Sequence, residues 1–253
     1  MELSEQVVLV SGGGRGLGSY VARAFLREGA RVVVGYRRSE AGAREVAALA
    51  PDRAVALPAD VTSRAQVRDQ VRRAAEALGG PVTTVVSNAL PDYSFNGDGR
   101  ARADSVRWAD LAAQVEGAVR GTLHCVQECL PGMRAAGEGV VVTIGSNLVH
   151  HPVVPYHDYT AAKAALLGLT RTLAADLGPE GVRVNMVAGG LLRTTDASAA
   201  TPPEVFDAIA AQTPLRRVVA PEELADAVVA LASPWCRAVT GQELVVDGGL
   251  VMR

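Results

Sequence analysis

The chain has 253 residues, of which 49% are hydrophobic, with a net charge of −2 and an isoelectric point near 6.1. This length suits one large α/β domain better than two, and its arginines are dispersed, which argues against nucleic acid as a partner. The first residues show no charged and then apolar leader, and no run of about eighteen apolar residues occurs. The sequence therefore predicts a soluble cytoplasmic protein without a membrane partner.

Short β-branched runs alternate with longer alanine-rich amphipathic stretches along the whole chain. This alternation is typical of a doubly wound parallel sheet of the Rossmann type. We expect a single domain over residues 1–253, with about seven strands and helices on both faces. Residues 1–135 would form the cofactor-binding half, and residues 136–253 the catalytic and substrate half. The expected strands are Val7 to Val10, Arg31 to Gly35, Ala54 to Leu57, Val82 to Ser87, Gly139 to Ile144, Val182 to Val187 and Glu243 to Val246.

A glycine-rich turn follows the first strand. It reads Ser11-Gly12-Gly13-Gly14-Arg15-Gly16-Leu17-Gly18 and leads into an alanine-rich helix. Glycines allow the backbone to turn tightly against a phosphate, and the N-terminus of the helix supplies free N–H groups for a pyrophosphate. A second strand follows within about thirty residues, so the context predicts a dinucleotide site.

The end of the second strand predicts which cofactor binds. An NAD site usually has a carboxylate there for the ribose hydroxyls, whereas this chain has Gly35-Tyr36-Arg37-Arg38. The guanidinium groups of Arg37 and Arg38, together with that of Arg15, are suited to donate hydrogen bonds to the oxygens of a 2′-phosphate. NADP(H) is therefore expected rather than NAD(H), the alternative being that these arginines form a solvated face.

Two segments interrupt the alternation, residues 91–104 and residues 191–214. Both follow the carboxyl ends of predicted strands, where parallel sheets bind ligands, so both are expected to be walls of a substrate pocket. The second is a possible lid. The alternative is that they are solvent loops without a role. The expected pocket side chains are Tyr93, Phe95, His151, Tyr156 and His157.

Tyr159 and Lys163 lie four residues apart, which places them on one face of a helix. A neighbouring ammonium lowers the pKa of a phenol, which otherwise titrates near ~10. Ser146 ends a strand thirteen residues earlier and offers a hydroxyl to a substrate oxygen. These residues predict general acid–base chemistry at a substrate oxygen.

No metal site is expected from the histidines and cysteines. His150 and His151 are adjacent, so on an extended segment their side chains point to opposite faces. Cys125, Cys129 and Cys236 match no zinc spacing and are expected to be buried thiols.

Taken together, these motifs resemble the classical branch of the short-chain dehydrogenase/reductase family over nearly the whole length. Gly12, Gly16 and Gly18 match its glycine motif, and Ser146, Tyr159 and Lys163 match its catalytic residues. The family's nicotinamide-binding motif corresponds to residues 188–194, with Gly189 in place of proline, and its closing strand to residues 240–249. The cofactor contacts that the resemblance and the motifs together imply are Gly12, Arg15, Gly16, Leu17, Gly18, Arg37, Arg38, Asp60, Val61, Asn88, Ala89, Tyr159, Lys163, Gly190, Leu192 and Thr194.

The resemblance implies that Tyr159 is the general acid in reduction and that Ser146 polarises the substrate oxygen. Lys163 would lower the pKa of Tyr159 and bind the nicotinamide ribose. Ala118 stands where the family usually has an asparagine that helps to order a water for proton transfer. A main-chain carbonyl could hold that water instead, and Gly117 permits a kink in this helix.

The closest branch of the family is similar to the 3-oxoacyl-acyl-carrier-protein reductases. Such reductases carry basic residues near the mouth of the site, whereas the corresponding places here hold Gly137-Glu138 and Glu180, so docking of an acidic carrier is expected to be weakened. The implied function is an NADPH-dependent carbonyl reductase acting on a free or a carrier-bound small molecule. An NADP(H)-binding sensor or scaffold with little turnover is the alternative. The resemblance also implies a homo-oligomer, a tetramer or a dimer.

Overall fold

The computed structural model describes residues 1–91, 93, 95, 99–193 and 195–252, and of residue 196 it describes the backbone alone. The predicted nicotinamide contact Thr194 lies outside the described residues.

One parallel sheet of seven strands runs through the molecule in the order β3-β2-β1-β4-β5-β6-β7. The predicted doubly wound architecture is confirmed. Strands β5 and β6 extend two residues beyond their predicted ends because they pair with one another along their full lengths, from Gly139 opposite Val182 to Ser146 opposite Gly189. The strands are β1 (Val7–Val10), β2 (Arg31–Tyr36), β3 (Ala54–Pro58), β4 (Thr84–Ser87), β5 (Gly139–Ser146), β6 (Val182–Gly189) and β7 (Glu243–Val246).

Helices cover both faces of this sheet. A single π-helical turn, Glu116–Arg120, joins the fourth helix to the fifth. Short 3-10 turns lie at Leu3–Glu5, Asn147–Val149, Gly178–Glu180, Asp196–Ser198 and Pro234–Cys236. The helices are α1 (Gly16–Arg27), α2 (Glu40–Ala47), α3 (Arg64–Leu78), α4 (Trp108–Val115), α5 (Gly121–Ala136), α6 (His157–Leu177), α7 (Pro203–Gln212) and α8 (Pro221–Ala232).

Each face of the sheet has its own apolar core, because successive side chains of a strand point to opposite faces. On one face Val8 and Val10 of β1 belong to a core that also contains Phe25 of α1 and Leu224 of α8. On the other face Val7 and Leu9 belong to a core with Val67 of α3, Cys125 of α5 and Leu177 of α6. The strands are apolar on both sides, as a sheet covered by helices on both faces requires.

The order of the strands locates the ligand site. The chain winds from β1 outwards to β3, then returns to β4 on the other side of β1 and continues to β7. The connections therefore diverge between β1 and β4 and leave a crevice beyond their carboxyl ends. None of the helices in the described part of the chain combines the length and the apolar character needed to cross a membrane.

Candidate active site

A cavity of about 1220 Å³ opens at the carboxyl ends of the strands. It extends from the glycine-rich turn after β1, past the ends of β4 and β5, to the segment before α7. Protein pockets for small ligands usually have volumes of about 300–1,000 Å³, so this cavity has room for more than one small molecule.

The glycine-rich turn is held against the end of β4 by main-chain and side-chain hydrogen bonds. The Ser11 hydroxyl accepts from the main-chain N–H groups of Asn88 and Ala89, at 3.0 and 3.1 Å. Asn88 Nδ2 donates to the carbonyl oxygens of Ser11 and Gly12, at 3.1 and 3.3 Å. Asn88 therefore positions the turn in addition to lining the cavity, where it was predicted.

Gly12 and Gly18 are required by how closely the backbone packs in this turn. Gly12 has a φ of 68°, and a Cβ atom on Gly18 would lie 2.2 Å from the carbonyl oxygen of Gly12. No side chain fits there. Gly18 does not line the cavity itself and has a packing role between α1 and the turn, and its predicted contact with the cofactor stays a prediction.

The end of the cavity beside β2 carries positive charge. Arg15, Arg37 and Arg38 all line it, together with Asp60 and Val61 after β3. Arg37 Nη1 lies 3.3 Å from Asp60 Oδ2. Burial acts to raise the pKa of Asp60, but hydrogen bonds from Thr62 and Arg37 outweigh it and hold that pKa below its ordinary value.

Ser146, Tyr159 and Lys163 meet at the opposite end of the cavity, as the sequence predicted. Ser146 is the last residue of β5, and Tyr159 and Lys163 share a face of α6. The hydroxyls of Ser146 and Tyr159 both line the cavity here, and Ser146 acts to lower the pKa of Tyr159. Lys163 Nζ donates to the Ile144 carbonyl oxygen at 2.7 Å and lies 5.5 Å from the centroid of the Tyr159 ring.

The protonation of these groups differs from the prediction that Lys163 lowers the pKa of Tyr159. Burial raises the pKa of Tyr159 to about 12, and the hydrogen bond from Ser146 lowers it only in part. Burial also lowers the pKa of Lys163 to about 8. The prediction considered the attraction of the cation and overlooked that both side chains are buried, which penalises both charged forms.

Four of the five predicted pocket side chains line the cavity, namely Tyr93, Phe95, His151 and Tyr156. His157 does not line the cavity; it is the first residue of α6, and its side chain is exposed. The segment 191–214, predicted as a possible lid, contains the helix α7, and Val205 and Ile209 of that helix line the cavity. Its opening and closing stays a prediction.

Ala118 lies in the π-helical turn and is buried among Ala162, Leu166 and Met186. Its carbonyl oxygen accepts from Thr122 Oγ1 at 2.6 Å. A Cβ atom on the preceding Gly117 would lie 2.1 Å from Pro91 Cγ, so this kink requires glycine. The π-helical turn is the kink that Gly117 was expected to permit.

The acidic residues thought to weaken carrier docking do not lie near the mouth of the cavity. Glu138 directly precedes β5 and Glu180 precedes β6, at the amino ends of these strands. Ser146 lies at the other end of the eight-residue β5, roughly 25 Å away at about 3.3 Å per residue. Glu138 also accepts from the Met1 ammonium and Glu180 from Arg134, so the prediction that these two carboxylates weaken docking of an acidic carrier was wrong about their place.

The remaining histidine and cysteine predictions have mixed outcomes. His150 Nε2 lies 2.9 Å from both carboxylate oxygens of Glu243. Cys125 and Cys129 are buried as predicted, whereas Cys236 is only half-buried because it lies in a surface turn. Within the residues that the structure describes, no group of three or more His, Cys, Asp or Glu side chains is arranged to hold a metal ion.

Comparison with known proteins agrees with this geometry. The family model described as Enoyl-(Acyl carrier protein) reductase matches residues 12–251. A crystal structure of a short-chain dehydrogenase/reductase from Brucella melitensis, described as glucose/ribitol dehydrogenase, superposes with a TM-score of 0.87 at 26% identity, covering 100% of this chain and 98% of the other. The chain belongs to the short-chain dehydrogenase/reductase family.

Relatives within this dehydrogenase/reductase family have varied substrates. A 3-alpha-(or 20-beta)-hydroxysteroid dehydrogenase of Mycobacterium tuberculosis is 36% identical, covering 97% of this chain and 89% of the relative. A 2-(S)-hydroxypropyl-CoM dehydrogenase of Xanthobacter autotrophicus is 35% identical, with 98% and 97% covered. A 3-oxoacyl-acyl-carrier-protein reductase of Vibrio cholerae is 31% identical over the full length of both chains. Homologues are therefore oxidoreductases of small molecules.

Two contacts beside the predicted catalytic residues were not predicted from the sequence. Asn147, next to Ser146, donates to the buried Asp247 at 3.0 Å, and Asp247 also accepts from the main chain of Gly249 and Val251. Asp158, next to Tyr159, pairs with Arg100. The partners are 100 and 58 residues apart in sequence, so no local pattern reveals them.

Proposed function

We propose that the protein is an NADPH-dependent carbonyl reductase. The observation that carries the proposal is the arrangement of one cavity, which has three arginines at one end and a serine, a tyrosine and a lysine at the other. The arginine end suits a phosphorylated nucleotide, and the hydroxyl end suits proton transfer to a carbonyl oxygen.

The residues of the cavity fit a dinucleotide. Apart from its chain neighbours and the backbone of its own helix, no atom of the described residues lies within 4 Å of the place where a side chain at Gly16 would begin, which leaves the turn open toward a pyrophosphate. No carboxylate ends β2, and Arg37 and Arg38 follow its last residue, Tyr36. We therefore infer that Arg37 and Arg38 bind the 2′-phosphate of NADP(H) and that Asp60 orients Arg37.

When bound, NADPH supplies the hydride for the carbonyl carbon. The residues of the chain supply the proton and the stabilisation of charge. The hydroxyls of Ser146 and Tyr159 line the cavity together and present two donors to one substrate oxygen, and Tyr159 transfers its phenolic proton to that oxygen as it becomes an alcohol. With a pKa of about 12, Tyr159 is protonated and ready to donate throughout the physiological range.

Lys163 then stabilises the phenolate that remains. Its ammonium is held by the Ile144 carbonyl at 2.7 Å and faces the Tyr159 ring at 5.5 Å. With a pKa of about 8, Lys163 is charged at neutral pH yet close enough to its titration point to return a proton. Lys163 also lines the cavity, where it would hydrogen-bond the nicotinamide ribose.

The test is oxidation of NADPH in the presence of carbonyl compounds. The panel contains free ketones, free aldehydes and a 3-oxoacyl group attached to acyl-carrier protein, each offered with NADPH and with NADH. We expect turnover with NADPH that greatly exceeds turnover with NADH. Tight NADPH binding without oxidation by any compound of the panel would favour the alternative function, a sensor of NADP(H).

A further inference from the structure

Aromatic side chains are concentrated at the catalytic tyrosine. The chain has three Phe, five Tyr and two Trp residues, and four of these ten meet at one point. The ring centroids of Tyr93 and Phe95 lie 5.0 and 5.1 Å from that of Tyr159, and 4.8 Å from each other. Tyr156 completes the group, with centroids 5.7 Å from Tyr93 and 5.6 Å from Phe95.

Tyr93, Phe95 and Tyr156, here called the aromatic wall, all line the cavity beside Tyr159. Four of the five ring contacts have interplanar angles between 68 and 89° and are edge-to-face. This geometry is favourable between rings and holds the wall in one arrangement. The wall covers Tyr159, of which only 8% is exposed.

A partly buried ion pair connects the wall to α6, the helix that carries Tyr159. The side chain of Asp158, directly before Tyr159, is 6% exposed and pairs with Arg100. The Arg100 guanidinium also lies over the Tyr93 ring, 4.2 Å from its centroid, and Tyr93 Oη donates to Asp158 Oδ1 at 3.4 Å. Burial and the charge of Asp158 raise the pKa of Tyr93, so its phenol stays a neutral donor.

The rest of this end of the cavity is largely uncharged and contains several apolar side chains among polar ones. Outside the arginine end and Asp60, the described lining residues that carry a full charge are Glu116 and Lys163. Glu116 is paired with Arg120 at 3.2 Å. Aliphatic side chains of Leu148, Val154 and Ile209 also line the cavity. Such a surface recognises apolar molecules, and the rings of the wall favour flat ones.

We propose that the aromatic wall, fastened by Asp158 and Arg100, selects uncharged substrates whose carbonyl belongs to a flat, ring-bearing apolar molecule. The proposal rests on the proposed function, because the wall acts only if Tyr159 meets a carbonyl. Arg100 and Asp158 are positioning residues in this scheme, whereas the wall itself contacts the substrate.

The first experiment measures binding without chemistry. The probes are α-tetralone and trans-α-decalone, which have the same carbon skeleton and carbonyl position but differ in flatness. Their dissociation constants are measured for the protein loaded with NADP⁺, which cannot reduce them. We expect α-tetralone to bind at least about fivefold more tightly, and Phe95→Leu to reduce this ratio to less than about twofold, since it removes a ring but keeps an apolar side chain.

A matched control removes a ring elsewhere. Phe206 of α7 is buried but does not line the cavity. The ratio of the dissociation constants of the two ketones should therefore be the same in Phe206→Leu as in the intact protein. Equal binding of the two ketones to the intact protein, or an unchanged ratio in Phe95→Leu, would overturn the proposal. The intact protein could also keep the expected ratio of dissociation constants while no ketone causes oxidation of NADPH. That result would overturn the proposed function and leave the wall as a binding surface.

The second experiment tests the fastening pair. Arg100→Gln leaves Asp158 buried without its charged partner, so the ratio for the two ketones should fall at least threefold while the affinity for NADP⁺ changes less than twofold. Arg100→Lys should restore part of the ratio. Arg107→Gln, which removes an exposed arginine paired with Asp110, is the control. A lower melting temperature with an unchanged ratio would show that the pair is structural only.

Discussion

The two ends of the cavity are built from different parts of the chain. At the glycine-loop end, formed by residues of the turn 11–17 with Arg37 and Arg38, glycine backbone lies beside arginine side chains, and a side chain on the neighbouring Gly18 would clash with the turn. At the catalytic end the surface consists of side chains, with rings 4.8–5.7 Å apart and an ion pair behind them. Closely packed glycine backbone tolerates few substitutions. A surface made of side chains can be altered by substitution, which changes the substrate that fits it.

The largest expected effect at the glycine-loop end comes from replacing both Arg37 and Arg38 by alanine. NADPH binding should weaken by about 2–4 kcal/mol with little change for NADH, because charge-assisted hydrogen bonds contribute about 1.5–3 kcal/mol each and are not additive. Titration of both cofactors measures this. Arg44→Ala, which removes an exposed arginine of α2, is the control. Equal losses for NADH and NADPH would contradict the assignment.

The pH dependence of reduction tests the catalytic end. Tyr159 is in its proton-donating form below about pH 12, and Lys163 is charged below about pH 8. We expect kcat/KM for reduction to be level between about pH 6 and 7.5 and to fall up to about tenfold per pH unit above 8, as Lys163 loses its proton.

Arginine keeps its proton throughout the pH range of the assay. Lys163→Arg should therefore move the fall in kcat/KM to above pH 10, even if the absolute rate is lower. If kcat/KM still falls near pH 8 in Lys163→Arg, a group other than Lys163 causes the fall.

The smallest expected effect concerns Ala118. We expect Ala118→Asn to change turnover by less than about tenfold, or ~1.4 kcal/mol, because a main-chain carbonyl can order the relay water without the side chain. The variant should be destabilised by about 1–3 kcal/mol, since the amide would be buried among Ala162, Leu166 and Met186. Turnover and urea unfolding measure the two effects. A hundredfold rise in turnover would instead identify the protein as an impaired catalyst.

The sheet and the strand, turn and helix around the glycine loop were predictable from the sequence because their signals are local. Strand β1 and the turn after it are contiguous, and Tyr159 and Lys163 are one helical turn apart. The pKa of Tyr159 and the packing role of Gly18 were not predictable, because both depend on burial by distant parts of the chain. The error over Glu138 and Glu180 has the same origin, since their place relative to the cavity depends on the strand ends at which they lie.

The measurement that tests the account most directly compares Tyr159→Phe with the intact protein in NADPH-dependent reduction. This change removes the proposed proton donor and keeps the ring within the aromatic group, so NADPH affinity should be nearly unchanged while turnover falls by ~10²–10⁴. Lys163→Ala should lower both. A Tyr159→Phe protein that reduces its substrate at more than about a tenth of the original rate would contradict the assignment of Tyr159 as the general acid.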